Sequence, residues 1–397
     1  MSTKVSVGIN QSIDSLSAGR DACFSAKVDL QSDDISLAIV FSTINFNLNE
    51  VLHGVKRVIK NTPLVGCSAA GVITNSGNFI RSVAVMLIAS SNIKPGVACV
   101  GPISFGKEKI SAYQLAQTAS SQTAGLKRHT FSLFADNLID NPADLIAGLR
   151  EVLGGSFPIV GGFSADDGHF GKTYQFFQDE ALSYSACGIL WTGNCECSFS
   201  AGHGWKPLGR PLAITDSRVN RIRAIEGKPA IKLYENYFGD KIADLKKIKL
   251  SKIALLYPLG LYVSTEDGYI LRNVLAVEDD GSLICQGDIP PNSEVRLMIG
   301  TKDSLLAAAK EAATEVKANL DKKNKKAVFI IVTDSFSRYK LLGRSASQEI
   351  EIIREVFEDV PLIGFYSFGE LAPLSALNFM GKSYILNESI SILAIGE

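Results

Sequence analysis

The residues of this chain that could do chemistry gather just past three similar apolar runs. Pro63-Leu64-Val65-Gly66, Pro158-Ile159-Val160-Gly161 and Pro361-Leu362-Ile363-Gly364 each lead into a loop of small and polar residues. The first loop supplies Cys67 and Ser68, the second Ser164, Asp166 and Asp167, and the third Tyr366 and Glu370. If each run is a strand ending in a glycine turn, these groups sit where open α/β sheets tend to hold ligands. The acids could hold a ligand amine, or accept backbone N–H groups within their own turns. Cys67 is the best nucleophile, yet no histidine adjoins it, and a cysteine in a small-residue loop usually behaves as a buried hydrophobe. Ser164 lacks the second glycine of a nucleophile elbow. Neither GxxxxGK[ST] nor a strand-to-helix GxGxxG occurs, and a β-β connection after each loop removes the helix N-terminus that nucleotide sites use.

Four histidines bound the metal and haem readings. His53 falls in an apolar-periodic helix, His129 in the basic run Lys127-Arg128-His129, and His169 just after Asp166-Asp167-Gly168. His203 lies between Gly202 and Gly204 with Trp205 beside it. Flanking glycines permit close approach and an indole face could wall a macrocycle, so His203 is the candidate axial ligand for a non-covalently held haem b. The plainer alternative is a loop histidine making one hydrogen bond. Covalent haem is excluded, because no CxxCH occurs. Cys195 and Cys197 alternate on one strand face upstream of His203, an arrangement open to thiolate, zinc or redox chemistry whose spacing matches no common zinc pattern.

The elements that position these residues repeat. Before the first glycine loop come a strand at Ile35–Phe41 and a helix at Leu48–Lys60, whose apolar residues recur at helical spacing. The second copy has Phe131–Ala135 and Ala143–Leu153, the helix opened by Asn141-Pro142. The third has Ala327–Thr333 and Ser347–Phe357. Each copy is predicted to begin with a further strand and helix, at Val5–Ile9, Val97–Val100 and Val295–Ile299, and to end on an apolar strand at Ser82–Ala89, Ala186–Thr192 and Ser389–Ile395. The expected fold class is therefore α/β, with three related β-α-β-α-β-β units in mixed sheets. The units fall at 1–95, 96–200 and 294–397, with a β-rich insert at 201–293 marked by turns at Asp267-Gly268 and Asp280-Gly281.

Composition fits a globular chain of two to three domains: 397 residues, 46% hydrophobic and 20% charged. Forty basic and 41 acidic residues leave no global field to recruit nucleic acid or an anionic membrane. The run Lys322, Lys323, Lys325 and Lys326 follows an expected helix at Ser304–Leu320 and reads as its solvated, cation-favouring end. The longest apolar stretch, Val83–Ala89, is far short of the ~18 residues a membrane span needs. Met1-Ser2-Thr3-Lys4 leads into the first strand without a secretory signal, and seven cysteines lack framework spacing, so cytoplasmic residence is expected.

Taken together, several segments resemble the FIST family, with both its N-terminal and its C-terminal domain. They are Val65-Gly66-Cys67-Ser68-Ala69-Ala70-Gly71, Gly161-Gly162-Phe163-Ser164-Ala165-Asp166-Asp167 with Lys172-Thr173-Tyr174, Gly204-Trp205-Lys206-Pro207-Leu208-Gly209, Gly227-Lys228-Pro229-Ala230 with Tyr234 and Tyr237, and Gly364-Phe365-Tyr366-Ser367-Phe368-Gly369-Glu370. The resemblance implies an N-terminal domain over 1–224 and a C-terminal domain over 225–397. It further implies a sensory protein, not an enzyme, that binds a small ligand and regulates a partner such as a histidine kinase. Some members are similar to haem-binding nitric-oxide sensors, so haem-based sensing is the leading expectation, an amino-acid-like metabolite sensor the alternative, and a small-molecule enzyme the third. Oligomerisation stays open. Val72 departs from the acidic residue usual after Gly71.

Overall fold

The computed structural model describes all residues except 1–2, 240–241, 243–244, 246–251, 264–267, 291 and 374–381. In the first repeat the expected periodicity becomes β1 (Lys4–Asn10), α1 (Ser15–Leu30), β2 (Leu37–Thr43), α2 (Leu48–Ile59) and β3 (Leu64–Ala69). A short hairpin, β4 (Val72–Thr74) and β5 (Gly77–Phe79), precedes the closing strand β6 (Val83–Ala89). The second repeat follows the same order: β7 (Gly96–Val100), α3 (Glu108–Ser121), β8 (Arg128–Ala135), α4 (Pro142–Leu153), β9 (Ile159–Phe163), the hairpin β10 (Gln175–Phe177) and β11 (Glu180–Leu182), then β12 (Ala186–Thr192). Side chains set the helix starts: Asn141, expected from the sequence, and also Asp14 and Asn47 each accept the N–H three residues on.

The third repeat corrects one expectation. Its first strand is β13 (Glu196–Gly202), which pairs along its length with the last strand of the chain. The chain then leaves to build the insert: β14 (Lys206–Arg218), β15 (Arg221–Ile225), β16 (Lys228–Pro229), α5 (Lys232–Phe238), α6 (Lys252–Leu256), β17 (Leu259–Val263), β18 (Gly268–Arg272), β19 (Val274–Val277), β20 (Leu283–Cys285) and β21 (Glu294–Ile299). Val295–Ile299 is thus the last strand of the insert, paired with β14 and β17, and not the first of the repeat. Both segments are short apolar strands next to a glycine, and only pairing separates them. The Asp280-Gly281 turn joins β19 to β20, Gly281 adopting φ +80°; Asp267 lies outside the described residues. The repeat resumes with α7 (Lys302–Asp321), β22 (Ala327–Ser335), α8 (Phe336–Leu342), α9 (Ala346–Phe357), β23 (Leu362–Ser367), a hairpin of β24 (Gly369–Pro373) and β25 (Ser383–Leu386), and β26 (Ile390–Gly396).

Three six-stranded sheets result, ordered β1-β6-β2-β3-β10-β11, β25-β24-β9-β8-β12-β7 and β13-β26-β22-β23-β4-β5, beside the eight-stranded insert sheet. In each, the two strands joined through a helix run parallel. The hairpin that follows each glycine loop does not pair with its own sheet. The first pairs with β23 of the third, the second with β3 of the first, and the third with β9 of the second. The three repeats therefore exchange hairpins in a closed cycle around a shared core. At its centre, Phe41, Phe134 and Phe365 meet with ring centroids 4.5 to 5.9 Å apart. Val72 is fully buried in that core, where an acidic side chain would lack solvent.

The repeated glycine also has a different role from an open turn. A Cβ on Gly66, Gly161 or Gly364 would lie 1.7, 2.2 or 2.4 Å from the carbonyl oxygen of Val40, Leu133 or Val332 on the adjacent parallel strand. Close packing of the strands, not approach of a ligand, demands glycine. Gly66→Ala, Gly161→Ala and Gly364→Ala are each expected to lower stability by about 1–3 kcal/mol or more in urea titrations. Gly155→Ala, which would meet nothing within 4 Å, is expected to stay within about 0.5 kcal/mol of the parent.

Candidate functional site

The three glycine loops converge, but they close on one another. Ser68 N–H donates to the Tyr174 carbonyl at 2.8 Å, Ala165 N–H to Ser68 O at 3.0 Å, and Phe368 N–H to Phe163 O at 3.2 Å. Tyr366 and the first loop exchange two bonds, Ala70 N–H to Tyr366 O at 3.0 Å and Tyr366 N–H to Gly71 O at 2.9 Å. The Ser68 hydroxyl donates to Ala165 O at 2.9 Å and accepts Tyr174 N–H, while Ser164 donates to Ala135 O at 3.1 Å and accepts from Gln175. Cys67 is fully buried, and burial pushes its thiol well above the ordinary range. Tyr366 is buried against Tyr339, centroids 4.7 Å apart. Asp166 is buried and receives five backbone N–H groups, from Gly168, His169, Phe170, Gly171 and Lys172, so it organises its own loop. Asp167 is partly exposed and pairs with the exposed His169 at 2.6 Å.

The open space lies beside these loops, not among them. A cavity of about 450 Å³ separates the second repeat and the third glycine loop from the insert. That is within the usual range for small-molecule sites, about 300–1,000 Å³. Phe163, Phe170 and Phe368 form an aromatic wall, with Phe170 stacked on Phe368 at 3.9 Å and Phe105 exposed at the rim. Asp166 serves this wall indirectly, because its carboxylate fixes the backbone of Phe170. Asn137, Asn220, Gln286 and Asn387 contribute amides, and Asp140 and Asp288 carboxylates, while no lysine or arginine is among the described lining residues; Arg272 lies just behind Gly287 and Asp288. Asn387 is 2% exposed and its Oδ1 has no partner among the described residues. Cys285 also lines it, but burial raises its thiol to about 12, far from a thiolate at neutral pH.

Behind the cavity lies a charged cluster that no apolar core requires. Asp334, Arg338, Glu349, Glu370 and Glu388 are all fully buried. Arg338 donates to Asp334 Oδ1 at 3.0 Å and to Glu349, and also to the carbonyls of His203 at 2.6 Å and Leu305 at 3.0 Å. Those carbonyls flank the two points where the insert leaves and rejoins the third repeat. Glu370 accepts from Ser367 at 2.6 Å and from Ser389 N–H at 3.1 Å, yet burial still raises it to about 8. Burial, then the neighbouring carboxyls, hold Asp334 and Glu388 well above their ordinary values. Glu388 faces Ser337 and Asn273, but neither of its oxygens completes a well-formed hydrogen bond. Asn273 in turn donates to Gln286 Oε1 at 3.2 Å, and Gln286 donates to the Phe368 carbonyl at the cavity floor.

Of these groups sequence reasoning singled out only Glu370 and the loop acids. Asp334, Arg338, Glu349 and Glu388 went unnoticed. One signal was present: an acid ends the second strand in two copies, as Leu133-Phe134-Ala135-Asp136 and Ile331-Val332-Thr333-Asp334. Asp136 is structural, accepting from Thr173, Leu138 N–H and Tyr184 N–H.

The arrangement around His203 does not fit axial ligation of haem. Its Nδ1 accepts the Trp205 N–H at 2.9 Å, which places the ring proton on Nε2 and leaves no free lone pair. Burial lowers its pKa to about 4, so the ring stays neutral. The flanking glycines admit α7, a Cβ on Gly204 falling 2.5 Å from Ser304 O, and Trp205 is buried in a core cluster with Leu305 and Met298. His53 is on the exposed face of α2, and His129 bonds the Gly193 carbonyl at 3.0 Å. Cys195 and Cys197 neighbour each other and His129, not His203, and the contact with Cys197 foremost lowers Cys195 to about 6.

Known proteins resemble this chain over most of its length. An uncharacterized protein of Methanocaldococcus jannaschii is 23% identical over 392 residues, spanning 87% of this chain and 72% of its own length. An uncharacterized protein of Mycobacterium bovis is 20% identical over 385 residues, spanning 94% of this chain and 95% of its own. Among solved structures, a cyanuric acid hydrolase from A. caulinodans covers 99% of both chains at 8% identity with a TM-score of 0.38. The FIST N domain matches residues 36–228 and the FIST C domain residues 230–373. The chain therefore belongs to the FIST family, carries both of its domains, and has the signalling-sensor role those domains imply.

Proposed function

We propose that the protein senses a small amine-bearing metabolite held in the cavity between the second repeat, the third glycine loop and the insert. One observation carries this reading: the amides on the cavity floor connect, through Gln286 and Asn273, to the buried cluster whose Arg338 grips both crossings of the insert. The aromatic wall suits an apolar or planar ligand body. Arg272 lies behind Asp288, donating to its carbonyl at 3.1 Å, so Asp140 is the lining carboxylate better placed to meet a ligand cation, and the lining itself offers a phosphate no lysine or arginine among the described residues. An amino-acid-like ligand would have to place its own carboxylate on backbone N–H groups or amides.

Signalling requires that the ligand bind two conformations with different free energies. A ligand that engages Gln286 and Asn387 alters the surroundings of Asn273 and of Glu388, whose buried carboxyl is held well above its ordinary pKa and has no well-formed partner. The response is a shift of the insert against the third repeat, presented to a partner such as a histidine kinase. Turnover is not the reading, because the cavity offers no thiolate or paired nucleophile and base among its described lining residues. Haem-based sensing would need an imidazole other than His203.

Calorimetry with a panel of amines and amino acids tests the location. Asn387→Ala is expected to weaken the ligand about 3- to 10-fold, and Phe368→Ala to weaken it further, while Asp167→Asn leaves affinity unchanged. A ligand insensitive to both cavity variants overturns the site. Coupling is tested separately: Glu388→Gln is expected to retain binding but lose the ligand-induced change in hydrogen exchange around His203 and Leu305. Glu370 adds a pH signature. Its folded pKa of about 8 exceeds the ordinary 4.5, so its contribution to stability is full below 4.5 and lost as pH rises through 8. Glu370→Gln is expected to flatten that fall between pH 5 and 8 by up to about 1.4 kcal/mol per pH unit, measured by urea unfolding.

A further inference from the structure

Cys99 and Cys187 are direct partners in the antiparallel pair β7 and β12, so their side chains leave the same face of the sheet at the same level. Their sulfurs are in contact, 2.6 Å apart. Cys187 is fully buried and held protonated by its surroundings, whereas Cys99 is half-buried on β7, the outermost strand of its sheet. Both side chains pack against the central core, and Cys99 is the less buried of the two. Cross-strand partners satisfy the short Cβ separation a disulfide needs without movement of the backbone.

We propose that Cys99 and Cys187 form a reversible disulfide, with Cys99 the thiol that meets the oxidant. With hydrogen peroxide, the Cys99 thiolate attacks one peroxide oxygen, the O–O bond breaks, and a sulfenic acid and hydroxide result. The Cys187 sulfur then attacks Cys99 Sγ, giving up its proton as the sulfenic oxygen leaves as water. Two thiols are oxidised by two electrons, peroxide is reduced, and two waters form in all. Reduction by a small thiol such as glutathione restores the pair through a mixed disulfide on Cys99. The cross-link ties down the strand from which the chain runs to Phe105 at the cavity rim.

Full-length protein treated with peroxide and then alkylated is expected to lose two of its seven thiols and to yield one linked peptide pair containing Cys99 and Cys187, both reversed by glutathione. Cys99→Ser, at a half-buried edge position, is expected to keep the fold and abolish the linkage. Cys195→Ser is expected to leave it intact. A linkage mapped to Cys195 and Cys197, seven free thiols after oxidation, or a linked pair that persists in Cys99→Ser would each overturn the assignment.

Discussion

Everything in this fold depends on how the outer parallel strand of each repeat is covered. A β-α-β-α-β unit leaves β3, β9 and β23 with an open edge of N–H and C=O groups, a costly state if buried and an aggregation hazard if not. The hairpin that follows each strand does not fold back onto that edge but fills the corresponding edge of a neighbour. Because the exchange runs in a closed cycle, no repeat completes its sheet alone. The glycine loops are the crossing points of that exchange. Their N–H and C=O groups bind one another, which is why they are buried and unavailable to a ligand.

A sealed centre moves recognition outward. The insert departs after β13 and returns before α7, so it lies against the flank of the third repeat and covers the second and third glycine loops from outside. The cavity is what remains between surfaces that do not mesh. Its aromatic wall comes from residues already ordered by the loops, and its amides come largely from the insert and from the turn after β25.

The buried cluster is the costly feature of this arrangement. Four carboxyl groups surround one guanidinium with no solvent access, so charge cannot be neutralised by pairing alone. Protonation meets the deficit at Glu370 and its neighbours. Well-packed apolar residues would be at least as stable. What the cluster adds is a joint whose state depends on proton occupancy and on the groups facing Glu388, at the place where the insert is attached.

Much of this was legible in the residues. Apolar periodicity located the main strands and the bounded helices of the three repeats to within a few residues, and the repeated PLVG-like run pointed to three units, because local spacing dictates local structure; the hairpins after the glycine loops and the individual strands of the insert carried no comparable signal. Pairing was not legible. Nothing in Val295–Ile299 or Cys195–Ala201 says which belongs to the repeat, since both are short apolar strands, and nothing local says that a hairpin binds another unit's edge. The same limit governs the site. Cys67, Ser68, Ser164 and Asp166 are prominent in sequence but spend their polar groups or burial on closing the centre. Asn387, Gln286, Glu388 and Arg338 are unremarkable in sequence and become a site only when the insert folds over the third repeat. Sequence determines the elements, because helix and strand formation are short-range, whereas which edges meet, which acids lose water and where a cavity remains are settled by contacts hundreds of residues apart.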